Sequence, residues 1–185
     1  MSPAIIVGLG NPGPAYAGTR HNMGFSLVDA LASQTQVALK SDSRFCAAIA
    51  KTSVNGCPVW LVQPLTFMNL SGRAVQSVSH FFKVPAESVL VPGTAKLSLG
   101  GGAGGHNGIS SILQSLPNTF SRFRLGIGPK QFPEQDLADH VLGKLSLAEQ
   151  TLFREKLPFY IQGVNTWLGQ GLAIAQNLIN KKASS

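Results

Sequence analysis

This chain predicts an α/β fold, a single domain spanning residues 1–185 in which a mixed, twisted sheet is flanked by helices. Three observations lead there. Short apolar runs alternate with amphipathic stretches along the whole sequence, the order expected of strands packed against helices. The first apolar run, Ala4 to Val7, ends in a glycine-rich turn, Gly8-Leu-Gly-Asn-Pro-Gly13, the place where open α/β sheets collect ligands. At 185 residues the chain is long enough to bury a core without staples, and no linker or internal repeat divides it.

Strands are expected at Ala4 to Val7, Phe45 to Thr52, Pro58 to Gln63, Ser88 to Val91, Ala95 to Leu99 and Phe123 to Ile127, where apolar or alternating residues are bounded by turn formers. Helices are expected at Met23 to Gln34, Ser71 to Phe82 and Gly108 to Leu116, where apolar side chains recur every three or four positions. A long helical pattern from Ser146 to Ile179 is expected to break at Pro158, which lacks a backbone donor. The C-terminal segment, with Pro158, Trp167 and a basic Lys181-Lys182 end, could pack on the sheet or touch RNA, and its apolar spacing favours packing.

Charge narrows the class of partner. Lysine and arginine number 15 against 8 acids, a net charge of +7 with a pI near 9.8, which favours a polyanion, RNA or DNA first; the other reading is a basic excess that aids solubility. Cys46 and Cys57 have no metal-type spacing, and no secretory pattern or bilayer-length apolar run accompanies them. Reduced thiols in a cytoplasmic protein, with no membrane partner and no metal, are therefore expected.

Two glycine-rich runs carry the chemistry. The first is followed at once by Thr19-Arg-His-Asn22, which delivers Asn11, Tyr16, His21 and Asn22 to one end of the first strand. The second, Gly100-Gly-Gly-Ala-Gly-Gly-His-Asn-Gly108, precedes a helix pattern. Neither fits a nucleotide site well, because the first lacks the ribose-binding acid and the second lacks the Gly-Lys-Ser/Thr of a phosphate loop. Three separate loops each present an asparagine, Asn11, Asn69 and Asn107. Neutral amides both donate and accept, which suits peptide groups and ribose hydroxyls better than metals. For hydrolysis an imidazole with a near-neutral pKa is the natural general base, and His21 is the candidate. His80 and His140 fall in patterns that suit surface roles, and His106 sits among glycines that suit a structural contact to its loop.

These motifs, together with Thr66-Phe-Met-Asn-Leu-Ser-Gly72, Arg124-Leu-Gly-Ile-Gly128 and Val141-Leu-Gly-Lys144, resemble in kind and order those of the bacterial peptidyl-tRNA hydrolases, over nearly the whole chain. The resemblance implies a monomeric, cofactor-free enzyme that cleaves the ester joining a peptide to the terminal ribose of tRNA and so recycles tRNA from abandoned translation. It implies that Asn11 and Asn69 grip the peptide carbonyls, Asn11 counting with His21 as catalytic, that Asn107 helps hold the reacting group, and that Tyr16, Phe67 and Met68 wall the substrate end; amide donors near the carbonyl would also stabilise the developing oxyanion. It also implies that Lys96 and Arg124 form a basic clamp on tRNA. A site of neutral amides favours a blocked amine over a charged one, and Asn11 is the expected selector.

The chain departs from that family in one place that matters. Relatives insert a segment resembling Ala-His-Asp-Glu-Leu-Asp-Leu-Pro before the Pro-Gly, whereas here Val91 passes directly to Pro92-Gly93. That segment carries the aspartate which, in the family, fixes the tautomer of the catalytic histidine. Ala103 also stands where many relatives have histidine, and Pro129-Lys130 replaces a His-Pro-Gly. The alternative expectation is thus a catalytically impaired tRNA- or RNA-binding homologue.

Overall fold

A computed structural model describes residues 2–92, 96–125, 134 and 136–182, with residues 96, 97, 124, 137, 138, 181 and 182 described by their backbone alone. Seven strands form one sheet: β1 (Ala4–Val7), β2 (Lys40–Asp42), β3 (Ala47–Val54), β4 (Cys57–Pro64), β5 (Val89–Pro92), β6 (Lys96–Leu99) and β7 (Ser121–Arg124), in the order β2-β3-β4-β1-β5-β7-β6. The central strands β4, β1, β5 and β7 run parallel. Both edges are antiparallel, β2 and β3 on one side and β6 on the other, so the sheet is mixed as expected.

Every residue of β1 is buried, as a central strand covered on both faces requires. Its side chains alternate between two cores. On one face Ile6, Leu61, Leu90 and Phe123 meet Leu27, Val28 and Leu31 of α1 (Met23–Gln34), Val164 and Trp167 of α5 (Leu147–Gln170), and Ala175 and Ile179 of α6 (Leu172–Lys182). On the other, Ile5, Val7, Val62 and Val91 meet Val75 and Val78 of α2 (Ser71–Phe81) and Ile109 and Ile112 of α3 (Asn107–Leu113). The Trp167 indole N–H donates to Ser121 Oγ at 3.2 Å, which ties α5 to β7 and bears out the packing role expected of the C-terminal segment.

Several expectations need correction. Pro158 does not break the long helix; α5 runs through it. Pro158 lies on the exposed side, where water can take the carbonyl that its missing N–H leaves unpaired. The helical run ends instead at Gly171, at φ 84°, a conformation glycine adopts without strain. Two elements were not foreseen: β2, a short edge strand of Lys, Ser and Asp without apolar alternation, and α4 (Leu137–Leu142). The seventh strand starts earlier than expected, at Ser121, and the expected strand positions Ala95, Gly126 and Ile127 lie outside the described residues. Pro92 belongs to β5, paired with Phe123, so only residues 93–95 separate β5 from β6 in sequence although β7 lies between them in the sheet.

Candidate active site

The loops that leave β1, β4 and the second glycine-rich run converge at the carboxyl ends of the parallel strands. The first turn and the start of α1 pack backbone to backbone. A methyl group on Gly24 would stand 2.5 Å from the Leu9 nitrogen and 2.6 Å from its oxygen, so only glycine fits. Asn22, just before α1, braces the same turn: its Oδ1 accepts the Asn11 backbone N–H and its Nδ2 donates to the Asn11 carbonyl, both at 2.9 Å. The Asn11 side chain then reaches the β4 loop, where its Oδ1 accepts the Met68 N–H at 2.8 Å. That bond commits the amide oxygen and leaves the two Nδ2 hydrogens for a ligand.

His21 lies in a 3-10 turn, Arg20–Asn22, held from outside by its neighbour. Arg20 grips both carboxylate oxygens of Glu149 through Nη2, at 2.6 and 2.8 Å, and donates through Nη1 to the carbonyls of His140 and Lys144. Glu149 in turn closes a capping box with Ser146 at the start of α5, an arrangement that satisfies the free donors of a helix start. His21 is thus seated where the first turn meets the α4–α5 junction. Partial burial pushes its pKa below the ordinary histidine value.

His106 precedes α3 and caps it: its Nδ1 accepts the N–H groups of Gly108 at 3.1 Å and Ile109 at 3.3 Å. Its ring centroid lies 5.3 Å from that of His21, with the rings tilted by 39°. Burial, and secondarily the neighbouring His21, push its pKa down to about 4. Arg122, buried in β7, fixes the glycine run from below by donating to Gly102 O at 2.8 Å and to Asn118 Oδ1.

These groups line one cavity of about 720 Å³, a size that suits the end of a substrate. Asn11, His21, Phe67, Met68, Asn69, His106 and Asn107 all border it. Met68 is buried and Phe67 is 57% exposed, so the first is floor and the second rim. Tyr16 is half-buried in its own 3-10 turn and is not among the residues that border this cavity. Lys96 and Arg124 are paired directly across β6 and β7; their side chains lie outside the described residues. His80 is exposed at the end of α2, as expected. His140 corrects the expectation of a surface role: it is 3% exposed within α4, and both ring nitrogens lack a partner among the described residues.

Val141 and Leu142, from the Val141-Leu-Gly-Lys144 motif, also line the cavity, as do Arg122 and Ser98, strand residues with no local signal of a site in the sequence. Among the described lining residues none is Asp or Glu. No group of three metal-ligating side chains converges among the described residues, and no described helix is long and apolar enough to cross a membrane.

The family model for peptidyl-tRNA hydrolase matches residues 5–185. A peptidyl-tRNA hydrolase of Marinomonas sp. is 44% identical over 163 residues, covering 83% of this chain and 84% of its own length. One from Nostoc sp. is 42% identical over 194 residues, covering 97% and 96%; that alignment is longer than this 185-residue chain, so the relative carries residues with no counterpart here. The crystal structure of peptidyl-tRNA hydrolase from Acinetobacter baumannii superposes with a TM-score of 0.87 at 37% identity, over 96% of this chain and 94% of that one. Matched in sequence over nearly its full length and in fold at the same time, the chain belongs to the peptidyl-tRNA hydrolase family.

Proposed function

We propose that this protein hydrolyses the ester bond between peptide and tRNA in peptidyl-tRNA, acting as a monomer with His21 as general base. The observation that carries the reading is that His21 shares one cavity with Asn11, Asn69 and Asn107. His21, neutral at pH 7 because burial depresses its pKa, takes a proton from a water that attacks the ester carbon, a role worth roughly 10²- to 10⁴-fold. The Nδ2 donors of Asn11 and the amide of Asn69 hold peptide carbonyls and Asn107 helps hold the reacting group, while Phe67 and Met68 pack against the substrate end. Asn11 selects the blocked amine, because a charged amine would meet amide hydrogens of like polarity and no carboxylate to receive it. Lys96 on the edge strand β6 and Arg124 on its neighbour β7 take phosphates of the tRNA, and charge-removing substitutions there reduce affinity and flatten its salt dependence.

A second reading is favoured by one observation, the lack of a carboxylate among the described residues lining the cavity, together with the direct passage from Val91 to Pro92. On that reading the chain binds tRNA without turning it over. Single-turnover release of tRNA from an N-blocked aminoacyl-tRNA decides between them. Cleavage that His21→Ala abolishes supports the hydrolase; binding without cleavage by either protein supports the binding-only homologue.

A further inference from the structure

We infer that His106 is a second catalytic residue, a neutral imidazole whose Nε2–H donates to the carbonyl oxygen of the scissile ester as negative charge develops there, while His21 carries the proton. The inference rests on the hydrolase reading of the cavity. Its starting point is the tautomer. A backbone N–H only donates, so the Nδ1 that accepts from Gly108 and Ile109 holds a lone pair, and the proton of the neutral ring sits on Nε2. The ring lies against the start of α3: a methyl group added to Gly108 would stand 3.1 Å from His106 Cε1, and the two N–H groups that its Nδ1 accepts hold it in that orientation.

Two competing roles are removed by the same bonds. His106 is not a general base, because its lone pair is already occupied by two N–H groups. Nor does it accept the His21 N–H in place of a carboxylate, because its remaining nitrogen carries hydrogen. What it offers the cavity is one donor, 5.3 Å ring to ring from His21. Burial keeps that donor uncharged, with a pKa of about 4, and a neutral donor does not oppose the charge that His21 acquires during the reaction. Backbone donors that hold a histidine neutral so that it can polarise a carbonyl are a known catalytic device.

The water oxygen bonds to the ester carbon, its proton passes to His21, and the carbonyl electron pair moves onto the oxygen that accepts the Nε2–H of His106. When the carbonyl re-forms, the bond from carbon to the ribose oxygen breaks and that oxygen takes the proton from His21. No oxidant, metal or further reactant is required.

His106→Ser tests this. Serine is a strong N-cap and keeps an acceptor for the start of α3, but it has no N–H to give. With an N-blocked aminoacyl-tRNA the single-turnover rate constant is expected to fall by about 10²- to 10³-fold, the effect of losing one oxyanion donor, while the substrate concentration for half-saturation changes by less than about threefold. A rate constant within about threefold of wild type overturns the inference. A second measurement does not depend on the variant folding: nitrogen-15 spectra of the wild-type imidazoles are expected to show His106 neutral, with its proton on Nε2, down to about pH 5. A proton on Nδ1, or titration at the ordinary histidine value, overturns it. A wild-type chain that cleaves in a His21-dependent manner while His106→Ser cleaves equally well removes only the role of His106; a wild type that binds tRNA and never cleaves removes the hydrolase reading with it.

Discussion

Asn11 and Met68 are joined by a hydrogen bond of 2.8 Å in which the Met68 backbone N–H donates to the Asn11 side-chain oxygen. One amide thereby locks the β1 loop to the β4 loop with its oxygen and faces the substrate with its nitrogen. The two duties separate by mutation. Asn11→Ala leaves the buried Met68 N–H unpaired and is expected to cost about 1–3 kcal/mol of stability as well as activity. Asn11→Asp keeps an acceptor for Met68 and loses only the donors, so its thermal stability stays near wild type while hydrolysis of N-blocked substrate falls. A carboxylate also attracts a free amine, so the preference for blocked over unblocked aminoacyl-tRNA narrows or reverses. An Asn11→Asp variant with unchanged selectivity sinks the selector role.

The acid limb of the rate profile reports His21. A general base works when unprotonated, so kcat/KM rises with pH through the pKa of the free enzyme. Burial lowers that pKa, and the midpoint is expected below the ordinary value of about 6.5. A midpoint at or above that value contradicts His21 as the base in this environment. His106 sharpens the stability profile in the same direction. Its native pKa of about 4 lies below the unfolded one, so its contribution to stability is complete above about pH 6.5 and is lost as pH falls toward 4. His106→Ser is expected to lose less stability than wild type across that window.

Arg20 and Glu149 make the clamp that seats the His21 turn, with side chains only 15% and 31% exposed. Glu149→Gln weakens a bidentate, partly shielded pair and is expected to cost about 1 kcal/mol, a fall in Tm of about 2–4 °C. Burial alone would raise the Glu149 pKa, but the Ser146 N–H and the Arg20 guanidinium outweigh it and the net shift is downward. The contribution is therefore complete above the ordinary glutamate value and disappears as pH falls through the lower native one. The difference in Tm between wild type and Glu149→Gln should be constant near neutrality and shrink below about pH 4. A difference that grows on acidification contradicts the pairing.

Most of the architecture is legible in the chain because α1, α2 and the strands β1, β3, β4 and β5 each carry a period that burial imposes. Leu27, Val28 and Leu31, or Val75 and Val78, can only face one way. The lapses have physical causes. β2 is held by its pairing to β3 and buries almost nothing, so Lys40, Ser41 and Asp42 leave no apolar trace. Pro158 is tolerated because its face of α5 is wet, a tertiary circumstance that the sequence does not display. Asn11, His21 and Asn107 could be read from glycine-rich runs and the residues beside them, and Asn69 from the loop that leads into the α2 helix start. The cap that fixes His106 could not, since histidine is not a usual N-cap residue and its role depends on Gly108 leaving room for the ring. Arg122 reads as an ordinary strand residue until the sheet places it under Gly102.

Gly24 offers the most direct test of how the two halves of the site are joined. Gly24 is the second residue of α1, three positions after His21, and a methyl group there would face the main chain of Leu9 in the first glycine-rich turn, with the Pro92 carbonyl on a third side at 3.2 Å. All three neighbours are backbone, so none can swing away as a side-chain tip would. Gly24→Ala therefore has to push α1 off the turn. Helix propensity alone would make alanine stabilising by about 1 kcal/mol; overpacking reverses the sign and costs about 1–3 kcal/mol. The displacement also shifts His21 relative to Asn11, because Asn22 ties the two segments. A misplacement of about 1 Å costs on the order of 10²-fold in rate. Denaturant unfolding together with single-turnover cleavage should show a destabilised protein whose rate falls further than its folded fraction. A variant that is more stable than wild type and equally active contradicts the close contact between these two backbones.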